Sequence, residues 1–383
     1  MEQRPDVLIV GAGPAGLATA ACLDRRRVEY VLLEQGTGPG ASWANYYDRL
    51  RLHTVRRLSG LPYRPIPARY GQYLTRDQLA TYLRDYASDR HLSARAGEEA
   101  VFASRDGDAG WRVETAGGTY RPRALITATG IFRNPVRPRF SGMEAFGGPI
   151  IHSAEYHNAD PYAGQRVLVV GAGNSGAEIA LDLATTAAHV GMAIRNGVNI
   201  VPRDLLGIGI QRWAILVASL PRPVTGTIAP PLLARSAARQ RAAGIPRAPH
   251  SVLDGGDGRV PVIGLGLIEA GRAGRITIHP GVERFEAGQA HFADGTAAAY
   301  DAVVLATGFR PALDFLADAI TRDAAGFPSR SGQRSTEHAD LFFAGLNYSF
   351  AGTLNNIRRE SPGLAAAVTT ALVRGRSRAR VPA

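Results

Sequence analysis

Two loops of the form GxGxxG, beginning at Gly11 and at Gly171, each follow a short apolar run and open an alanine-rich stretch. The units they begin both close on Ala-Thr-Gly, at Gly130 and at Gly308. The loop pattern predicts strand, tight turn and phosphate-facing helix, and its repetition predicts two such units. The expected fold is therefore α/β, with two Rossmann-like dinucleotide-binding domains. The period is far too long for a solenoid of short repeats.

In the first unit, Val7 to Val10 reads as a strand and Pro14 to about Arg26 as a helix with proline in its first turn. Gly11 permits the turn, Gly13 lets backbone approach a pyrophosphate, and Gly16 lets the helix pack close to the strand. The helix N-terminus offers unpaired N–H groups to the phosphates. A second run, Tyr30 to Leu33, stops at Glu34, at roughly the ~20-residue spacing of a carboxylate that holds a ribose hydroxyl. Thr75 and Gln78 form a capping box that opens a helix reaching about Ala87. Trp111 to Thr119 reads as a hairpin turning at Gly117-Gly118.

The second unit repeats the plan. Val167 to Val170 leads into Gly171, Gly173 and Gly176, with Asn174 and Ser175 inside the loop, and His291 to Ala298 turns at Asp294-Gly295. After its second strand stands Arg195 where the first unit has Glu34. A carboxylate repels a 2′-phosphate, whereas a guanidinium fork grips one. The first site is thus expected to take FAD and the second NADPH, with Arg203 as a second phosphate contact. A surface arginine in an arginine-rich chain is the competing reading. The FAD domain is expected over 1–155 and 305–383, with the NADPH domain, 156–304, inserted between. Within it, 207–249 is the least informative stretch. Its apolar run, Leu205 to Leu220, is too short to span a bilayer. A substrate tunnel or lid is preferred there over membrane contact, and the basic piece from Arg235 to Arg247 reads as exposed helix.

Composition excludes other classes. A 45% hydrophobic, 20% charged chain is an ordinary globular one. The net charge of +11 would suit nucleic acid, yet all 44 basic residues are arginine, scattered along the chain. That is the codon bias of a high-GC genome, and no nucleic-acid partner is expected. Arg374 to Arg380 reads as a frayed tail. A single cysteine, Cys22, forbids a disulfide framework or a CxxC pair. With a first strand by Val7 and no room for a signal peptide, a reducing, cytoplasmic location is expected. No metal site and no membrane span are expected.

Between the first loop and its closing Ala-Thr-Gly, the chain reads W-x-x-x-Y-D-R-L-x-L-H from Trp43, then L-P-Y-x-P-x-P, then Y-x-x-Y-L-T-R-D-Q-L-x-x-Y-L. Phe146, Gly148, His152 and Tyr156 fit F-x-G-x-x-x-H-x-x-x-Y, and RVPVIGLG and LATGFRP follow later. These motifs resemble the class B flavin-dependent monooxygenases, most of all the YUCCA-type indole-3-pyruvate monooxygenases, over about residues 5 to 360. Tyr156-His157 departs from the aromatic-proline of the related Baeyer–Villiger enzymes.

The resemblance implies that NADPH reduces FAD, that dioxygen forms a C4a-(hydro)peroxyflavin, and that one oxygen atom enters a small organic substrate. Either a 2-oxo acid is oxidatively decarboxylated, or a nitrogen or sulfur is oxygenated. It also implies site roles. Gly11, Gly13, Gly16 and Glu34 would hold FAD, with Trp43, Gly130, Gly345 and Leu354 around the flavin. Gly171, Gly173, Asn174, Ser175, Gly176 and Arg195 would serve NADPH, and Gly308 would be a further cofactor-binding position. His53 would be the one catalytic side chain, donating to the flavin edge as a neutral imidazole; a packed loop histidine is the equal alternative. His152 would join the domains at their hinge. The C-terminal helix would begin under the flavin. A homodimer is one option for the assembly. Among the rivals, a disulfide reductase lacks its second cysteine, a non-enzymatic NADPH sensor needs only one nucleotide site, and a flavin NADPH oxidase or reductase shares the fold.

Overall fold

The computed structural model describes residues 2–107, 110–220, 233–250 and 260–378. Its frame is two parallel sheets built on one plan. In the first, β1 (Val7–Val10) leads through α1 (Pro14–Asp24) to β2 (Tyr30–Glu34), and α2 (Arg76–Asp89) leads to β3 (Ala94–Ala96). The closing strand β4 (Ala124–Thr127) lies on the other side of β1, giving the order β4-β1-β2-β3.

The second sheet has the same order. Flanked by the edge strand β5 (Ile150–His152), β6 (Arg166–Val170) leads through α3 (Asn174–Leu183) to β7 (His189–Ala193). Beyond a segment that carries α4 (Ile210–Ala218) come β8 (Ile276–His279) and the closing β9 (Ala302–Leu305). The order is β5-β9-β6-β7-β8. In the first sheet, β10 (Leu341–Phe343) takes the place beside the closing strand that β5 takes in the second, and α5 (Thr353–Arg378) follows it. The edge strand β5 thus joins the second sheet a few residues before the boundary expected at 155.

The strands are continuous apolar runs because both faces of each parallel sheet are covered, one by helices and the other by an antiparallel meander. Every residue of β1, β4 and β9 is buried. Registers match across the repeat: Val10 lies opposite Leu33 and Thr127, and Val170 opposite Ala193 and Leu305. Each parallel sheet is accompanied by an antiparallel meander. One runs Ala100–Arg105, Trp111–Thr115 and Gly118–Tyr120; the other runs Val282–Glu286, Gln289–Phe292 and Ala297–Ala299. Thr75 accepts from the Gln78 amide while the Gln78 side chain accepts from the Thr75 amide, so α2 starts at its capping box.

The F-x-G-x-x-x-H-x-x-x-Y residues are packing and hydrogen-bonding groups. Phe146 is buried edge-on against Phe285. A Cβ at Gly148 would stand 2.2 Å from the Asp301 carbonyl oxygen. His152, fully buried, accepts at Nδ1 from the Ala154 amide and so donates from Nε2 to the Gly308 carbonyl at 3.1 Å. Burial lowers its pKa, in keeping with a neutral ring. Tyr156 donates to Asp182 at 2.8 Å.

Of 207–249, residues 221–232 lie outside the described residues. α4 docks through its buried Ile210 and Gln211, and Gln211 accepts from the Val55 amide at 2.8 Å and donates to the Ala351 carbonyl. The helix over 233–242 is not simply exposed. Ser236 and Gln240 are buried and donate to the carbonyls of Ile200 and Val198. No helix among the described residues is long and apolar enough to cross a membrane.

Candidate functional site

Both glycine loops open at the C-terminal ends of their sheets, and they face one continuous cavity of about 1520 Å³. A typical small-molecule site is ~300–1,000 Å³, so this volume suits two large ligands meeting end to end.

The loops are built alike for a physical reason. Gly11 and Gly171 turn at φ +106° and +103°, a region L side chains avoid. A Cβ at Gly16 would stand 1.8 Å from the Gly11 carbonyl oxygen, and one at Gly176 would stand 2.1 Å from that of Gly171. Gly13 and Gly173 differ in kind: a Cβ there meets nothing within 4 Å. The first and third glycines serve packing, while the middle one leaves room for something that is not protein. Each middle glycine is also the N-cap of its helix, without a side-chain cap, so the first-turn N–H groups face the cavity side. A dinucleotide pyrophosphate fits both cradles.

Most of the expected site residues line this cavity: Gly11, Gly13, Glu34, Trp43, His53 and Gly130 from the first unit, with Gly345 and Leu354 near its end. Gly171, Gly173, Asn174, Ser175, Gly176, Arg195 and Gly308 line it from the second. A Cβ added at Gly345 would stand 2.7 Å from the Ala15 methyl, so the turn before α5 packs close against α1.

Glu34 is buried, and its two oxygens accept from the Ala12 and Gly36 amides, each at 2.8 Å. It therefore fixes the first glycine loop, and each oxygen keeps a further lone pair. Asn174 likewise lines the cavity with its side chain committed to backbone, donating to the Pro261 carbonyl and accepting from the Ile263 amide. Arg195 is exposed at the cavity wall just past β7 and has no ion-pair partner among the described residues.

Two expectations need correction. Gly16 does not reach the cavity, because the Gly11 backbone covers it. Arg203 does not line it either. Its guanidinium lies 5.4 Å over the Tyr73 ring, with Nη2 3.9 Å from Glu178 Oε1. The chain after β7 turns inward at Ile200–Val201, a strand paired with Val262–Ile263, and carries Arg203 away from Arg195's side.

Glu178 is the residue that sequence reasoning missed. It rises from the second turn of α3, lines the cavity, and accepts from Tyr47 Oη at 2.6 Å. His53 Nε2 stands 3.4 Å from its other oxygen. Burial raises the Glu178 carboxyl to about 7 and lowers the His53 imidazole to about 4, with Arg203 adding to the latter. The same segment leans on α3 and its surroundings at further points. The Asp48 amide donates to the His157 carbonyl at 2.8 Å, and Arg49 donates to the Leu181 carbonyl at 3.3 Å. A signal was present: an acid in the opening turns of a phosphate-facing helix repels its own ligand unless it is turned elsewhere and neutralised.

Comparison with known proteins agrees with this architecture. The family profile of the pyridine nucleotide-disulphide oxidoreductases matches residues 8–203. An indole-3-pyruvate monooxygenase of Oryza sativa subsp. japonica, YUCCA4, is 36% identical over 339 residues, covering 80% of this chain and 74% of its own. The Arabidopsis thaliana indole-3-pyruvate monooxygenase YUCCA6 is 35% identical, with 79% and 75% covered. A flavin-containing monooxygenase structure from Stenotrophomonas maltophilia superposes with a TM-score of 0.76 at 26% identity, over 96% of this chain and 99% of that one.

Proposed function

The chain belongs to the flavin-dependent monooxygenases of the pyridine nucleotide-disulphide oxidoreductase family, and from that membership we propose that it uses FAD and NADPH to oxygenate and decarboxylate a 2-oxo acid with an apolar side chain. One observation carries the reading: two cradles with open middle glycines face a single cavity of about 1520 Å³. A sensor needs one cradle, and a disulfide reductase needs a second thiol beside the buried Cys22. The substrate class follows the indole-3-pyruvate monooxygenases, whose named substrate is an aryl 2-oxo acid. Phe132, Tyr348 and Phe350 on the cavity wall suit such a side chain.

When bound, FAD reduced by NADPH activates dioxygen and supplies the oxygen atom. The chain's own residues bind and orient. Gly13 and the first turn of α1 hold one pyrophosphate, and Gly173 and the first turn of α3 hold the other. Glu34 accepts from ribose hydroxyls with its spare lone pairs. Arg195 pairs with a 2′-phosphate, which sets the preference for NADPH over NADH. Leu354, at the start of α5, and Trp43 line the cavity and would hold the flavin ring system by apolar contact. His53, neutral and buried, donates a proton where oxygen is transferred. In balance, a 2-oxo acid, dioxygen, NADPH and a proton give the acid shorter by one carbon, carbon dioxide, water and NADP⁺.

The test begins with colour and ends with products. The purified protein should be yellow or become so with FAD. A panel of 2-oxo acids, amines and sulfides is then followed by NADPH consumption, carbon dioxide and hydrogen peroxide. Carbon dioxide in step with NADPH for aryl 2-oxo acids alone is the expected result. Coupled turnover of amines or sulfides without carbon dioxide would replace the substrate class, and a protein that takes no flavin would remove the function.

A further inference from the structure

The cavity wall carries a buried acid beside the imidazole, and the binding and orienting roles above do not use it. Glu178 and His53 are 15% and 17% exposed, on segments from the two different units. The carboxyl has two distinct sides. Oε2 takes the Tyr47 hydroxyl, whereas Oε1 faces His53 Nε2 at 3.4 Å. His53 Nδ1, at the other end of the ring, is buried with no hydrogen-bond partner among the described residues. The charged groups acting on this pair are Arg203, whose Nη2 is 3.9 Å from Oε1, and more distantly Arg49. Tyr47 is held well above its usual range by burial and by Glu178 itself, so its hydroxyl keeps its proton.

Taking an acid and an imidazole out of water favours the neutral form of each. Near pH 7 that leaves a proton on or shared by the carboxyl while the ring is uncharged, the reverse of an ordinary histidine–carboxylate ion pair. With Oε1–H directed at Nε2, the ring's own proton sits on Nδ1.

We propose that Glu178 is the proton-holding positioning residue of the oxygen-transfer site, acting through His53. Nδ1 is occluded in the resting site; once closure brings an acceptor to it, Nδ1–H gives its proton to that acceptor as Oε1–H passes its proton to Nε2. The imidazole ends neutral in the other tautomer. Glu178 ends as a carboxylate held by the Tyr47 hydroxyl and faced by Arg203, and solvent returns the proton. Relays of this kind rest at long distances and tighten when the site closes. The proposal rests on the flavin monooxygenase reading of the cavity.

The experiment is an infrared pH titration of the flavin-loaded protein, run beside the ratio of hydrogen peroxide released to NADPH consumed. A protonated-carboxyl band should titrate with a midpoint of about 7 and be missing from Glu178→Gln. In that variant the peroxide ratio should rise several-fold and lose the inflection that the parent shows near the same pH. Tyr47→Phe removes the hydroxyl donated to Oε2, which destabilises the carboxylate, so the band's midpoint should move upward. A parent without that band, a Glu178→Gln profile that keeps the parent's inflection, or an unmoved midpoint in Tyr47→Phe overturns the proposal. Should Glu178→Gln fail to fold, the Tyr47→Phe shift decides. A chain that takes no flavin fails the functional reading instead, and the carboxyl band can still be read on it.

Discussion

A buried carboxyl and a buried imidazole leave opposite marks on stability. The raised Glu178 pKa means that the folded chain holds a proton the unfolded chain has lost, so its contribution falls as pH climbs from 4.5 to about 7. The lowered His53 pKa means the folded chain lacks a proton the unfolded chain holds, so its contribution grows as pH climbs from about 4 to 6.5. In the parent the two nearly cancel between pH 4.5 and 6.5. In Glu178→Gln only the histidine part remains. The stability of that variant relative to the parent should therefore rise with pH across this window, by on the order of 3 kcal/mol at most above pH 7, and its Tm should rise with it. A constant difference in Tm would show that Glu178 ionises normally. Arg195→Ala tests the other exposed end of the cavity. Losing one charge-assisted pair should cost about 1.5–3 kcal/mol, roughly tenfold or more in apparent NADPH affinity, with NADH unaffected. Equal use of both nucleotides by the parent would sink the assignment.

Helix–loop–strand units set what the glycines tolerate. Gly13 has φ −75° and open space where a Cβ would stand, so Gly13→Ala should fold and fail to hold flavin. Gly16→Ala drives a methyl into the Gly11 carbonyl and should lose the fold of the unit itself. Absorbance at the flavin band and circular dichroism separate the two outcomes; a fully loaded Gly13→Ala protein would remove the first loop as the flavin site. At this scale the chain was easy to read. Both strand–loop–helix units, the α2 capping box and the two hairpins are local patterns, visible within a dozen residues. What faces Arg203 and Glu178 was not legible, for one shared reason. Their surroundings come from Tyr47, His53 and Tyr73, over a hundred residues earlier, and no local period records which face of α3 that segment covers. His152 could be read as a hinge residue, but its partner, the Gly308 carbonyl, could not.

Across the whole molecule, the described units are joined by the apolar packing of Tyr47 and Leu50 on the second core and by polar links. Gln211 is 2% exposed and joins α4 to the His53 loop at Val55 and to the turn before α5 at Ala351. Gln211→Ala leaves that amide and that carbonyl without their partner and should cost on the order of 1–3 kcal/mol, read as a lowered Tm. An unchanged Tm would mean that α4 is not seated by this residue. The segment from Tyr47 to His53 has a wider consequence. It belongs to the unit with the first cradle, yet it rests on α3, whose N-terminus is the second cradle. Whatever fills one cradle therefore biases contacts that the other cradle also feels. Thermodynamic linkage makes such a bias reciprocal: the factor by which the pyridine nucleotide tightens flavin equals the factor by which flavin tightens the nucleotide. Calorimetry of each cofactor, with and without the other, should return two different affinities and a single common ratio.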